Sequence, residues 1–183
     1  MSRLIVTGGR LDHRADVAAA VWAFDILRYT DPGLSLVVAG DGPERGRLMR
    51  FARQAVWDDA PPVPPFVFGA VPQTQFDQAV QVWVPHRAGG WRLALAAMAA
   101  GRPVVAADTP ELRQTLGDAG RFFPPGDRAG LAVQARRLLD RPDEAAALGD
   151  DGRVRAVAHF PAWQMADPLA AVYHEARWRL PAR

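Results

Sequence analysis

The 183-residue chain contains no cysteine and no lysine, and its only serines are Ser2 and Ser35. Without cysteine there are no disulfides, no thiolate metal sites and no cysteine nucleophile, which fits a reducing compartment. Without lysine a phosphate-binding P-loop is excluded, and all 22 basic residues are arginine. That explains a pI near 9.9 alongside a net charge of only +2: it reflects the guanidinium pKa, not a strong positive field. The arginines form no run and are not interleaved with aromatics, so they indicate a solvated surface and not a nucleic-acid partner. Ser35 falls inside a predicted strand, which argues against serine-hydrolase chemistry. No apolar run approaches the roughly 20 residues of a membrane helix. Met1-Ser2-Arg3 leads directly into a strand, so no signal peptide is expected and the expected location is cytoplasmic.

What is present is ordinary for a soluble globular protein, with 49% hydrophobic and 23% charged residues. The length suits a single domain over 1–183 with a real core. Its organising stretch is Pro85 to Asp108, PHRAGGWRLALAAMAAGRPVVAAD. Gly89 and Gly90 let the backbone come close to a ligand. Leu93 to Ala100 predicts a buried helix, Gly101 its stop with Pro103 just beyond, and Val104 to Ala107 a buried strand. A glycine loop entering a helix N-terminus presents N–H groups and the helix dipole to an anion. The same pattern also serves as a plain strand–loop–helix–strand unit with no ligand.

Taken in order, Leu4 to Thr7 and Leu34 to Ala39 read as buried strands, with a helix between them that Asp16 is placed to cap. Pro43 suits the first turn of a second helix. Trp57 to Pro65 reads as an exposed loop, Phe66 to Phe68 and Val80 to Val84 as strands, and Gln75 to Ala79 as a short helix. Pro110 opens a helix through Leu116, and Phe122-Phe123 closes the sheet. Helices follow around Leu131 to Leu139, Asp143 to Leu148 and Phe160 to Leu180. The last carries Trp163, Tyr173 and Trp178, read as core packing. Strands alternating with helices through short loops predict an α/β fold, a doubly wound, Rossmann-like parallel sheet with a helical C-terminal end.

In such folds ligands bind beyond the carboxyl ends of the strands. The loops there are Gly8-Gly9-Arg10, Gly40-Asp41-Gly42, Gly69-Ala70-Val71, His86 to Trp91 and Asp108-Thr109-Pro110. Glycine pairs or Gly-x-Gly in several of them favour a bound phosphate. The dinucleotide fingerprint Gly-x-Gly-x-x-Gly after the first strand is missing from GGRLDHRAD. His13, His86, His159 and His174 lack the helical pair spacing of a metal site; Asp12, His13 and Asp16 could meet a metal, but helix capping and contact with solvent explain them better.

The order of segments resembles the C-terminal, donor-binding domain of GT-B glycosyltransferases, specifically the large retaining family four. The matching pieces are VTGGRLDHRAD, VWAFDIL, LSLVVAGDGPERGRL, FVFGAVP, VWVPHRAGGWRLALAAMAAGRPVVAADTPELRQTLGDAG and RFFPPGDRAGLAVQARRLLDRP. They span essentially the full chain, and GDGPER, AMAAGRPVVA and the spacing of GDAG to PPGD are the specific parts. The resemblance implies a domain that binds a nucleotide-sugar diphosphate and transfers a hexose with no metal or other cofactor. It implies that Arg10, after Gly9, faces the diphosphate, and that backbone amides around Gly89, Gly90 and Trp91 approach the phosphates. Val71 falls where the backbone contacts the base, and Gly40 to Pro43 lie beside the nucleotide or serve their turn alone.

Departures from the pattern are equally specific. The usual lysine five residues after the arginine is Ala15 here, and Arg14 is expected to substitute only by reaching around. Two usual glutamates, for the sugar hydroxyls and the ribose, fall on Ala88 and Ala96, and no acid occurs between Asp77 and Asp108. Losing a charged hydrogen bond to the ribose costs about 1.5–3 kcal/mol, one to two decades of affinity. No catalytic residue is therefore assigned. The acceptor-binding N-terminal half is also missing, which implies a fragment, a subunit with a partner in trans, or a degenerate remnant. Two functional classes stay open: a glycosyltransferase donor domain that alone transfers little, and a non-catalytic pseudo-glycosyltransferase acting as an interaction module. A nucleotide-sugar epimerase, which can share the two-domain fold, is disfavoured by the lack of acidic and basic residues in the loop.

Overall fold

The computed structural model describes residues 3–55, 66–69 and 73–161. Its strands are β1 (Arg3–Gly8), β2 (Leu34–Ala39), β3 (Phe66–Gly69), β4 (Ala79–Val84), β5 (Val104–Ala107) and β6 (Gly120–Phe123). The helices are α1 (Val17–Thr30), α2 (Arg45–Ala55), α3 (Gln73–Gln78), α4 (Trp91–Ala99), α5 (Pro110–Leu116), α6 (Arg128–Asp140) and α7 (Pro142–His159). The strands form one six-stranded sheet ordered β3-β2-β1-β4-β5-β6, and every pairing is parallel. This is the expected doubly wound, Rossmann-like α/β sheet, and its strand order reverses between β1 and β4.

Near-continuous apolar runs form these strands because both faces of a parallel sheet are covered. Ile5, Val6 and Thr7 in β1 and Val82, Trp83 and Val84 in β4 are all fully buried. On the helical layers, α1 packs against α2 and α6, and α4 against α5 and α7. Thr7, Gln81 and Trp83 pair their polar groups within this core. Thr7 Oγ1 donates to the Trp83 carbonyl at 2.9 Å, stitching β1 to β4. The Trp83 indole N–H donates to Gln81 Oε1 at 2.9 Å, and Gln81 Nε2 donates to the Ala135 carbonyl of α6 at 2.9 Å.

Three local expectations are corrected. Asp16 holds the position before α1 in a left-handed conformation (φ 45°) and makes no side-chain cap; its Oδ2 instead accepts from Arg87 Nε at 3.0 Å. The helix begun by Pro142 runs on to His159 instead of stopping near Leu148. A Cβ at Gly149 would lie 2.3 Å from the Gly101 carbonyl oxygen, so the glycine lets α7 pass close to the end of α4. Finally, α4 begins at Trp91 and is not buried throughout: Leu93, Ala94, Ala97 and Met98 face the core, while Ala99 is exposed. The loop expected at Trp57 to Pro65 and the aromatic segment from Trp163 onward lie outside the described residues.

Candidate functional site

The end of β1 and the end of β4 diverge where the strand order reverses, and a cavity of about 370 Å³ opens there. Its volume is in the range of small-molecule sites. It is lined by Gly9, Arg10, Asp12 and Arg14 from the β1–α1 loop, and by His86 and Ala88 to Leu93 from the β4–α4 loop and first turn of α4.

Close backbone packing holds the first loop. Leu11 N donates to the Asp41 carbonyl at 2.9 Å, and Glu44 N to the Leu11 carbonyl at 2.9 Å. A Cβ at Gly40 would sit 1.9 Å from the Gly9 carbonyl oxygen, and Gly40 has φ 135°, so only glycine lets the two loops touch. Gly40 to Gly42 thus clamp the Gly9–Leu11 loop and do not line the cavity. Within the loop, Asp12 Oδ1 accepts from Arg14 N at 2.9 Å and Ala15 N at 3.2 Å, shaping a tight turn. Burial raises the Asp12 pKa, but these two N–H bonds with the nearby His13 and Arg10 charges outweigh it, and the carboxyl stays below its ordinary range. A bond from Arg87 N to the Arg14 carbonyl at 2.8 Å joins the two loops.

Charge on the cavity wall is unevenly matched. The Arg10 side chain is 81% exposed, and its partner is Asp12 at 3.6 Å. Among the described residues no carboxylate pairs with Arg14 or Arg92. Arg92 lies 5.1 Å from the centre of the Trp91 ring. Among the cavity-lining residues three are arginines and one, Asp12, is acidic. Gly90, at φ 85°, precedes α4, and no side chain caps that helix, so first-turn amides and the positive end of the dipole are presented to the cavity. Such a wall favours an anion with several oxygens.

Of the residues singled out from sequence, Gly9, Arg10, Arg14, Gly89, Gly90 and Trp91 line this one cavity, as does Ala88. Arg14 is among them, on the turn that Asp12 shapes. Ala15 is buried and takes no part. Ala96 is half-buried on α4, away from the cavity, and Val71 lies outside the described residues. One amide expected to be open is taken: Gly89 N donates to Glu111 Oε2 at 2.8 Å.

Two residues here were assigned no role from the sequence. Glu111, at the start of α5, brings a carboxylate next to Ala88 across the fold, a contact with no local signature. His86 is 5% exposed, and burial pushes its pKa down to about 4 against the opposing pull of Asp12 and Asp16. Its place directly after a central strand was the available signal. Among the described residues no group of three His, Asp or Glu side chains converges as a metal site, and no helix is long and apolar enough to cross a membrane.

A family model described as Glycosyl transferases group 1 matches residues 2–141. The chain belongs to the group 1 glycosyltransferases. The glycogen synthase of Mycobacterium tuberculosis is 30% identical over 185 residues, covering 92% of this chain and 42% of that protein. The sucrose-phosphate synthase of Thermosynechococcus elongatus has a TM-score of 0.79 at 25% identity, over 98% of this chain and 46% of that one. Anabaena HepE, solved in complex with UDP and glucose, shares the fold with a TM-score of 0.78 at 18% identity, over 94% of this chain and 48% of its own. This group 1 chain thus spans less than half the length of each, and the resemblance to a GT-B C-terminal domain holds.

Proposed function

We propose that this group 1 domain binds the nucleotide-sugar donor of a hexosyl transfer, with the diphosphate in the cavity between β1 and β4. The observation that carries the reading is the meeting of the Arg10 and Arg14 guanidiniums with the uncapped N-terminus of α4 at one cavity. As the anomeric C–O bond to the β-phosphate breaks, negative charge on the diphosphate grows, and fixed cations and amides there lower the barrier. The acceptor oxygen forms the new bond to the anomeric carbon, and its proton leaves with the diphosphate. No metal is invoked, in keeping with the retaining family the chain resembles. The acceptor-binding half comes from elsewhere, in the same polypeptide or in trans, and the domain alone transfers little.

The second reading, a non-catalytic interaction module, is favoured by alanine at both glutamate positions and by the Glu111 carboxylate on the Gly89 amide. Calorimetric titration with uridine, adenosine and guanosine diphosphates and their glucose and mannose derivatives separates the two. Saturable binding of at least one supports the donor reading. No heat with any of them at millimolar concentration removes it and leaves the interaction module.

A further inference from the structure

The His86 imidazole is wedged between two glycines. A Cβ at Gly9 would lie 3.0 Å from its Nε2, and one at Gly90 would lie 2.7 Å from its Cγ. The fold thus keeps both flanking positions free of side chains, and the ring fills the space at the floor of the cavity. Its Nδ1 is buried with no hydrogen-bond partner. An orphaned buried N–H is rarer and costlier than an orphaned lone pair, so the proton of the neutral ring belongs on Nε2. That leaves Nδ1 as a bare acceptor and Nε2 as a donor on the Gly9 side. Burial keeps the ring uncharged at neutral pH, amid Arg10, Asp12, Arg14 and Asp16 of one loop and Arg87 and Arg92 of the other. A neutral donor adds a hydrogen bond to an anion without adding to the repulsion among the guanidiniums.

We propose that His86 donates its Nε2–H to a phosphate oxygen of a nucleoside diphosphate bound in this cavity. The inference rests on the donor-binding reading. It gives the site a contact that the family resemblance assigns to no residue, between the arginine loop and the α4 amides.

The test is ¹⁵N NMR of the imidazole in the full chain, titrated with uridine, adenosine and guanosine diphosphates and inorganic pyrophosphate. The free protein should show the Nε2–H tautomer, and the Nε2 signal should move as the bound fraction rises. In parallel, His86→Gln places an amide nitrogen where Nε2 stands and should hold affinity within about threefold, whereas His86→Asn is too short and should lose about tenfold. Thermal melting checks that both fold. Saturable binding with unmoved imidazole signals, or equal affinity in both variants and the wild type, overturns the role of His86 alone. Absence of binding by every probe overturns it together with the donor reading.

Discussion

The two edges of the sheet each carry an arginine-lined cavity, and they differ in what the arginines have to do. At the amino edge a cavity of about 480 Å³ is lined by Arg3, Arg102 and Arg153 among others. Its arginines are occupied. Arg102 donates to the Ala100 carbonyl at 3.3 Å and to the Ala79 carbonyl at 3.4 Å. Arg153 donates to the same Ala100 carbonyl at 3.3 Å, and Arg3 pairs with Asp31. They satisfy carbonyls and the negative pole at the C-terminus of α4. At the carboxyl edge the cavity is smaller, but Arg10 and Arg14 face solvent beside the positive pole of the same helix. Among the described residues only Arg10 has a carboxylate partner there, Asp12 at 3.6 Å. Unpaired charge, and not volume, is what sets the proposed site apart.

Removing that charge should give the largest effect. Arg10→Ala combined with Arg14→Ala should weaken nucleoside diphosphate binding about a hundredfold, each charged hydrogen bond contributing roughly a decade. Both side chains are exposed, so the melting temperature should stay put. Steeper salt dependence in the wild type than in the double variant would accompany this. Unchanged affinity would place the phosphates elsewhere and erase the contrast between the edges.

A comparable free energy is tied to pH through His86. The imidazole titrates near 6.5 when unfolded and is pushed down to about 4 in the fold, chiefly by burial. Between those values the unfolded chain binds more protons, so stability is complete above pH ~6.5 and falls as the pH approaches 4. The loss is on the order of 3 kcal/mol at most. The Asp12 carboxyl sits below its ordinary range and stays charged through the window. Urea unfolding of the wild type and His86→Gln from pH 7 to 4.5 checks this: the wild type should lose more stability than the variant, whose remaining slope comes from carboxyls such as Glu144 and Asp108 that the fold holds below their ordinary range. A flat wild-type profile would mean that the ring is not held neutral.

The same contrast explains what could be read from sequence. Strands were legible because a parallel sheet covered on both faces demands unbroken apolar runs, as in LSLVVA and VVAA. The carboxyl-edge loops were legible because Gly9, Gly89 and Gly90 hold positive φ angles that favour glycine. The illegible features are contacts across the fold. Glu111 meets Gly89 only because α5 starts beside that loop, and Asp16, in a left-handed conformation, bonds Arg87 instead of capping α1. The length of α7 was hidden because its second half packs on the end of α4, where Gly149 meets the backbone of Gly101. Whether an arginine is spent or free depends on which helix end it meets, and no spacing in the sequence encodes that.

The smallest expected effect tests the occupied edge. Arg153→Ala removes one bond to the Ala100 carbonyl and one positive charge from the end of α4, but Arg102 still donates to the same oxygen. Gly101, over which the guanidinium lies, gains exposure without losing its conformation. The cost should therefore be about 0.5–1 kcal/mol of stability by urea unfolding, with nucleoside diphosphate affinity unchanged. The reverse result, a weaker affinity with stability intact, would show that Arg153 is spending its charge on a ligand. The amino-edge cavity would then be the site, because an arginine whose loss is felt in binding and not in folding was never serving the helix.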